Sequence, residues 1–199
     1  MSKRILRLPL VLYRRLRFYY WQVVNHALFI RHNVKIGIKC KISGILFIRN
    51  AGSINIGSMF TANSGKKSNP IGGDTILRMI CQKGARINIG TNCAISNSTL
   101  WANEIITIED NVIIGGGCRI WDGDFHPMDD KEREAHSSNF ISKPILIRRN
   151  CFIGGSCIIL KGVTIGERSV IGAGSVVTKS VPDGEIWAGN PAKFLKNVK

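Results

Sequence analysis

The sequence predicts an all-β chain wound as a parallel β-solenoid, and three observations carry that prediction. First, six segments superpose when the chain is aligned on itself: VKIGIKCKIS from Val34, INIGSMFTAN from Ile54, INIGTNCAIS from Ile87, ITIEDNVIIG from Ile106, ILIRRNCFIG from Ile145 and VTIGERSVIG from Val163. Second, a period of six runs inside them, clearest at Ile147, Ile153, Ile159, Ile165, Ile171 and Val177, with glycine after three of these residues. Six matches neither the helical 3.6 nor a simple strand alternation of 2. It suits short flat strands joined by tight turns, three to a coil, stacked about 4.8 Å apart over one column of aliphatic side chains. Third, Cys40, Cys93, Cys118, Cys151 and Cys157 each follow a period residue by four, a slot filled elsewhere by Val112, Ser169 and Ser175. A small buried side chain suits that slot, where a free cysteine serves as a small hydrophobe. No CxxC pair supports a zinc or disulfide reading.

Taken in order, residues 1–33 lie outside the repeat and are expected to be helical. Ile5, Leu8, Leu12, Leu16, Tyr19 or Tyr20, and Val23 follow helical spacing, with arginines between them, and Pro9 is expected to end a first short turn or kink the helix. Residues 34–188 form the solenoid. Residues 189–199 form a tail, expected to fold as a short C-terminal helix. Two insertions interrupt the coils, near 63–83 and 122–144, and long insertions into a regular repeat call for a functional reason.

Charge is uneven along these elements. The chain carries a net +15, yet its first acidic residue is Asp74, and 13 Lys and Arg precede it. A basic third beside a nearly neutral remainder points to an anionic partner for that third. Arginines interleaved with Phe18, Tyr19, Tyr20 and Trp21 suit a helix lying in a membrane interface through residues 1–32. Packing across the solenoid end is the other reading, and solenoid ends need a cap in any case. No nucleic-acid-binding module is visible, so no nucleic acid partner is expected. No run of about 18 apolar residues occurs, which excludes a transmembrane helix. Arginines at 7, 14, 15 and 17 break up any signal-peptide core, so a cytoplasmic location is expected, with peripheral contact at the inner face of the membrane.

The second insertion holds the clearest chemistry. It reads WDGDFHPMDDKEREAHSSNFISKP from Trp121, with His126 between the carboxylate pairs Asp122 with Asp124 and Asp129 with Asp130. An imidazole titrating near neutrality and held beside a carboxylate can act as a general base for a hydroxyl. From the residues alone, a solvated surface histidine is the commoner reading.

From Ile106 to the end the chain resembles the hexapeptide-repeat acyltransferases of the galactoside, maltose and polysaccharide O-acetyltransferase type. The resemblance rests on ITIEDNVIIGGGC, on FHPMDD, on the run from ILIRRNCFIGGSC to SVPDG, and on WAGNPAKFLK. It implies a left-handed β-helix, a handedness that spacing cannot supply and that runs against the usual crossover rule. It also implies a homotrimer binding acetyl-CoA and a saccharide acceptor between subunits, with no metal. His126 matches the catalytic histidine, with Asp124 or Asp122 orienting its ring. Asn97 and Trp121 are the expected acceptor contacts. Gly155, Ala173, Thr178, Lys179, Lys193 and Lys196 match the CoA contacts, small residues for the pantetheine arm and ammonium groups for the phosphates. Lysine at 193 and 196, where relatives often have arginine, gives up bidentate phosphate binding.

The expected function is therefore acetyl transfer from acetyl-CoA to a sugar hydroxyl, on a cell-surface polysaccharide or lipid-linked oligosaccharide precursor. An N-acyltransferase of an amino sugar, or a small-molecule acetyltransferase, is the alternative chemistry. A non-catalytic structural solenoid is the alternative class. A metal-dependent hydratase on this fold would need three converging histidines, a pattern that His26, His32, His126 and His136 do not show.

Overall fold

The computed structural model describes residues 7–137 and 139–199. The chain is a left-handed parallel β-helix behind an N-terminal helix. Helix α1 spans Arg7–Arg31. Twenty strands follow among the described residues, and eighteen of them take turns among three sheets. Sheet A holds β1 (Val34–Ile36), β4 (Ser53–Ile56), β7 (Arg86–Ile89), β10 (Ile105–Ile108), β13 (Ile145–Ile147) and β16 (Thr164–Ile165). Sheet B holds β2 (Lys41–Ser43), β5 (Thr61–Asn63), β8 (Ala94–Ser96), β11 (Ile113–Ile114), β14 (Phe152–Ile153) and β17 (Val170–Ile171). Sheet C holds β3 (Phe47–Asn50), β6 (Arg78–Cys81), β9 (Thr99–Ala102), β12 (Arg119–Trp121), β15 (Ile158–Ile159) and β18 (Val176–Val177).

The self-alignment proves to be the register of sheet A. Val34 pairs with Ile54, Ile54 with Ile87, Ile87 with Ile106, and Ile106 with Ile145. Inside the prism, Ile54, Ile87, Ile106, Ile147, Ile153, Ile159, Ile165, Ile171 and Val177 are fully buried. Burying each such side chain contributes roughly 1.5–3 kcal/mol, which makes the column the main stabilising element.

The cysteine slot has a backbone cause. At the corner between sheets A and B, Lys39, Met59, Asn92, Asn111, Asn150 and Arg168 all take a positive φ near 60°. The next residue then turns inward, and it is Cys40, Phe60, Cys93, Val112, Cys151 or Ser169. Asn fills three of the six corners because its short polar side chain tolerates the left-handed region. All six cysteines are free thiols.

Both ends of the prism are closed. At the start, the first coil leaves an open backbone edge, and α1 supplies its partners. Gln22 donates to the Ile42 carbonyl, Asn25 donates to the Gly44 carbonyl and accepts from the Leu46 N–H, and Phe29 is buried over the core. Such an edge left bare would invite strand addition. At the far end, β19 (Glu185–Gly189) pairs in parallel with β17, and β20 (Ala192–Asn197) folds back antiparallel on it. Trp187 packs against the core there.

Two expectations need correction. The C-terminal segment is the strand β20 and not a helix, because its backbone groups find an open strand edge beside β19. The second helix is instead internal: α2 (Asp130–Glu134) lies in the second insertion, with Asp129 as its N-cap. Pro9 lies near the start of the described part of α1, and the turn expected before it lies outside the described residues. The first insertion is shorter than expected, since β6 rejoins sheet C at Arg78.

Candidate functional site

The second insertion leaves β12 at Trp121 and returns at β13, so it sits on the edge between sheets C and A. Its root is stapled to the coils on either side. The Asp122 carboxylate, fully buried, accepts from the Asn103 N–H at 2.6 Å and the Glu104 N–H at 2.9 Å in the preceding coil. The two strands of the loop base are bridged between Gly123 and Ser142, with the Lys143 N–H on the Asp122 carbonyl and the Asp124 N–H on the Ile141 carbonyl. In the following coil Lys161 Nζ reaches Asp124 Oδ1 at 2.5 Å, and the Gly162 N–H reaches the Lys143 carbonyl.

Past this root, the chain is fixed by aromatic packing. Trp101 and Trp121 are register partners on adjacent strands of sheet C. Phe125 packs edge-on against both, its ring centroid 5.1 Å from Trp101 and 5.9 Å from Trp121. Pro127 is buried, and Arg133 donates to its carbonyl at 3.0 Å. His126 therefore stands between two anchored neighbours while its own side chain is exposed. Among the described residues no group hydrogen-bonds its imidazole, which is thus open to a substrate hydroxyl.

The structure pairs neither expected carboxylate with His126. Asp122 is consumed by two backbone amides and Asp124 by Lys161. Both hold the loop and neither touches the ring. The physical reason is proximity to the solenoid wall: at the loop root, free amide N–H groups and a lysine of the neighbouring coils lie closer than the exposed imidazole.

Asn97 is elsewhere. It lies at the corner between sheets B and C, buried, with φ 40°. Its Oδ1 accepts from the Gly65 N–H at 2.6 Å and its Nδ2 donates to the Asn69 carbonyl at 2.7 Å. Both side-chain polar groups thus latch the first insertion onto the prism. The expected acceptor pair, Asn97 and Trp121, is split across the width of sheet C. From Asn97 to Trp101, the partner of Trp121, is four residues of strand, or ~13 Å.

The expected CoA residues fall on two edges and one strand. Thr178 and Lys179 follow β18 on the C–A edge, exposed, two coils beyond the His126 loop, or ~10 Å along the prism. Gly155 and Ala173 lie on the B–C edge. That edge is a strip of nearly bare backbone: Gly115, Gly116 and Gly117, then Gly154 and Gly155, then Gly172, Ala173 and Gly174 in successive coils. A Cβ at Gly115 would lie 2.6 Å from the Gly155 nitrogen, so glycine there is required for coil stacking. Lys193 and Lys196 are exposed on β20.

Sequence reasoning missed Trp101, Phe125 and Lys161. A signal for Trp101 existed, since it precedes Trp121 by one coil and the repeat alone puts the two rings side by side. Lys161 carried none, because its contact depends on how the loop leaves the wall.

Burial pushes the thiols of Cys81, Cys93 and Cys151 up, the last to about 11. The hydrogen bond between Cys118 and Cys157 raises Cys118, with burial adding to the rise, and lowers Cys157 to about 7. Both of these side chains are buried in the solenoid, which suits structural filling.

With this geometry described, the comparisons are as follows. A family profile described as the hexapeptide repeat of succinyl-transferase matches residues 144–179. The galactoside O-acetyltransferase of Escherichia coli (strain K12) is 38% identical over 116 residues, covering 58% of this chain and 56% of that protein. Among solved structures, a maltose O-acetyltransferase from Clostridium difficile 630 is 30% identical with a TM-score of 0.60, over 72% of this chain and 69% of the other. A hexapeptide-repeat-containing acetyltransferase from Vibrio cholerae O1 biovar eltor, complexed with acetyl coenzyme A, is 26% identical with a TM-score of 0.58, over 89% and 78% of the two chains. Three curated relatives are matched over about half of their own lengths, 48% to 59%.

Proposed function

The chain belongs to the hexapeptide-repeat acetyltransferase family, related to the galactoside and maltose O-acetyltransferases, and on that premise we propose that it transfers an acetyl group from acetyl-CoA to a saccharide hydroxyl. The observation that carries this reading is the exposed imidazole of His126, without a hydrogen-bond partner among the described residues and held on the same prism edge as Thr178 and Lys179. His126 takes the proton of the acceptor hydroxyl as that oxygen attacks the thioester carbonyl. The tetrahedral adduct collapses, the C–S bond breaks, and the thiolate of CoA receives the proton from the imidazolium. No acyl-enzyme forms, in keeping with five of the six cysteines being buried away from the His126 loop.

Acetyl-CoA fits the residues present. The backbone strip at Gly155 and Ala173 leaves room for an extended pantetheine arm. Lys179, Lys193 and Lys196 offer exposed ammonium groups to its phosphates. The two edges flank opposite sides of sheet C and do not meet within one chain. In a closed ring of three copies, the C–A edge of one protomer faces the B–C edge of the next, so one cleft uses both sets of residues. The indoles of Trp101 and Trp121, each packed edge-on against Phe125, supply an aromatic surface next to His126 of the kind that sugar rings stack upon.

The test is thiol release from acetyl-CoA by the full chain against a panel of oligosaccharides and nucleotide sugars, with His126→Ala beside it. We expect acetyl ester formation by the wild type, and at least a ~100-fold fall in the variant with CoA binding retained. Amide products would move the reading to N-acylation, and no CoA binding at millimolar ligand would leave a structural solenoid.

A further inference from the structure

Helix α1 has two regularly spaced faces, one mixed and one apolar, and the solenoid uses only the mixed one. Phe18, Gln22, Asn25 and Phe29 recur every three or four residues and face the first coil, with Asn25 and Phe29 buried. On a separate face Leu12, Leu16, Tyr19, Val23 and Ile30 recur at the same kind of interval. These are 58%, 61%, 65%, 70% and 70% exposed. The stripe expected from the sequence to organise this helix is therefore the one left in water. Exposed apolar surface of this extent marks a contact site.

Charge decides what covers it. Between Arg7 and Arg31 the helix has five arginines and no acidic residue. Lys39 and Lys41 of the first coil are exposed nearby, and no acidic residue precedes Asp74. A second copy of the helix would bring together two strongly positive helices with no acidic residue on either to neutralise them. An anionic bilayer answers both features, since acyl chains take the leucines and valine while lipid phosphates take the arginines and lysines. Tyr19 and Tyr20, both exposed, suit headgroup depth.

We propose that the outer face of α1 is a docking surface for anionic lipid bilayers, on which the chain lies by its capped end. The side-chain bonds from Gln22 and Asn25 to the first coil hold the helix to the prism, so the face is presented ready-made. With α1 flat on the surface, the prism stands away from the bilayer on its capped end, and the His126 loop, three coils further on, faces the side. This surface is independent of the acyl-transfer reading.

The experiment is co-sedimentation of the full chain with vesicles of pure phosphatidylcholine and of phosphatidylcholine with about a third phosphatidylglycerol. Variants are Leu16→Ser with Val23→Ser, and Arg14→Gln with Arg15→Gln. Wild type is expected to bind the anionic vesicles, to bind the neutral ones at least ten times more weakly, and to be released by salt. Each double variant should lose about tenfold or more of that binding. All four positions are outside the buried core, and an unchanged melting curve verifies that the fold persists. Full binding by the stripe variant overturns the proposal, as does equal binding to both vesicle types. It is also overturned if wild type fails to bind lipid and the stripe variant lowers the assembly mass in light scattering, because the stripe then contacts a second copy.

Discussion

Lys161 Nζ lies 2.5 Å from Asp124 Oδ1, tying the coil after the His126 loop to the loop itself. Both side chains are less than a third exposed, and Asp124 Oδ2 is buried without a partner among the described residues. The ion pair therefore acts on where the loop sits, two residues before His126. Lys161→Met and Asp124→Asn are each expected to lower kcat by roughly 10- to 100-fold, the scale of a displacement near 1 Å at the reacting centre. The double variant should be no worse than the worse single one, because the pair acts as a unit. Steady-state kinetics on the four proteins checks this, and a change confined to the KM for acetyl-CoA would contradict it.

Asn97 is expected to be a latch. Asn97→Ala leaves the Gly65 N–H and the Asn69 carbonyl without partners, at a cost of about 1–3 kcal/mol. Amide hydrogen exchange should quicken across residues 65–75. The KM for the acceptor should stay within about twofold, a split that an acceptor-binding asparagine would reverse.

Asn25 closes the first coil. Asn25→Ala removes bonds of 2.8 Å to the Gly44 carbonyl and 3.1 Å from the Leu46 N–H, both buried. A loss of about 2–4 kcal/mol is expected from two orphaned backbone groups. Because a solenoid opens from its ends, exchange at Leu46 should accelerate well before exchange at Ile106. Uniform acceleration along the prism would contradict an end-capping role.

Cys151 links stability to alkaline pH. Burial raises its thiol to about 11 from an ordinary value of 9.0. The folded chain thus holds a proton that the unfolded chain releases, so this contribution is complete below pH 9 and is lost between pH 9 and 11. Cys151→Ser should fold, since Ser169 and Ser175 fill equivalent slots with hydroxyls bonded to backbone carbonyls. Denaturant titrations at pH 8, 9, 10 and 11 should show a shallower alkaline loss in the variant.

The fold was legible because the solenoid repeats one rule. A β-branched residue, a variable one and isoleucine recur wherever sheet A gains a strand, and the offsets between copies are the strand register itself. Where no repeat existed, reading by local pattern failed. The C-terminal segment turned out to be β20, because a strand edge was waiting for it. The stripe from Leu12 to Val23 was legible as helical, yet periodicity does not tell a packed face from a bare one. The buried Asn25 that holds the helix looked like any polar residue.

The site divides in the same way. The insertion that carries His126 followed from the break in the repeat, and the register of Trp101 with Trp121 follows from one-coil spacing. The partners of Asp122, Asp124 and Asn97 did not, because each is fixed by which backbone amide or ammonium group the neighbouring coil brings within 3 Å. Sequence alone determined the triangular coil, its inward aliphatic column and its small corner slots, since those depend on residues close in the chain. Only the tertiary structure decided which edge each candidate residue occupies and which polar group it meets, because stacking joins residues some 20 to 40 positions apart through contacts that leave no local pattern.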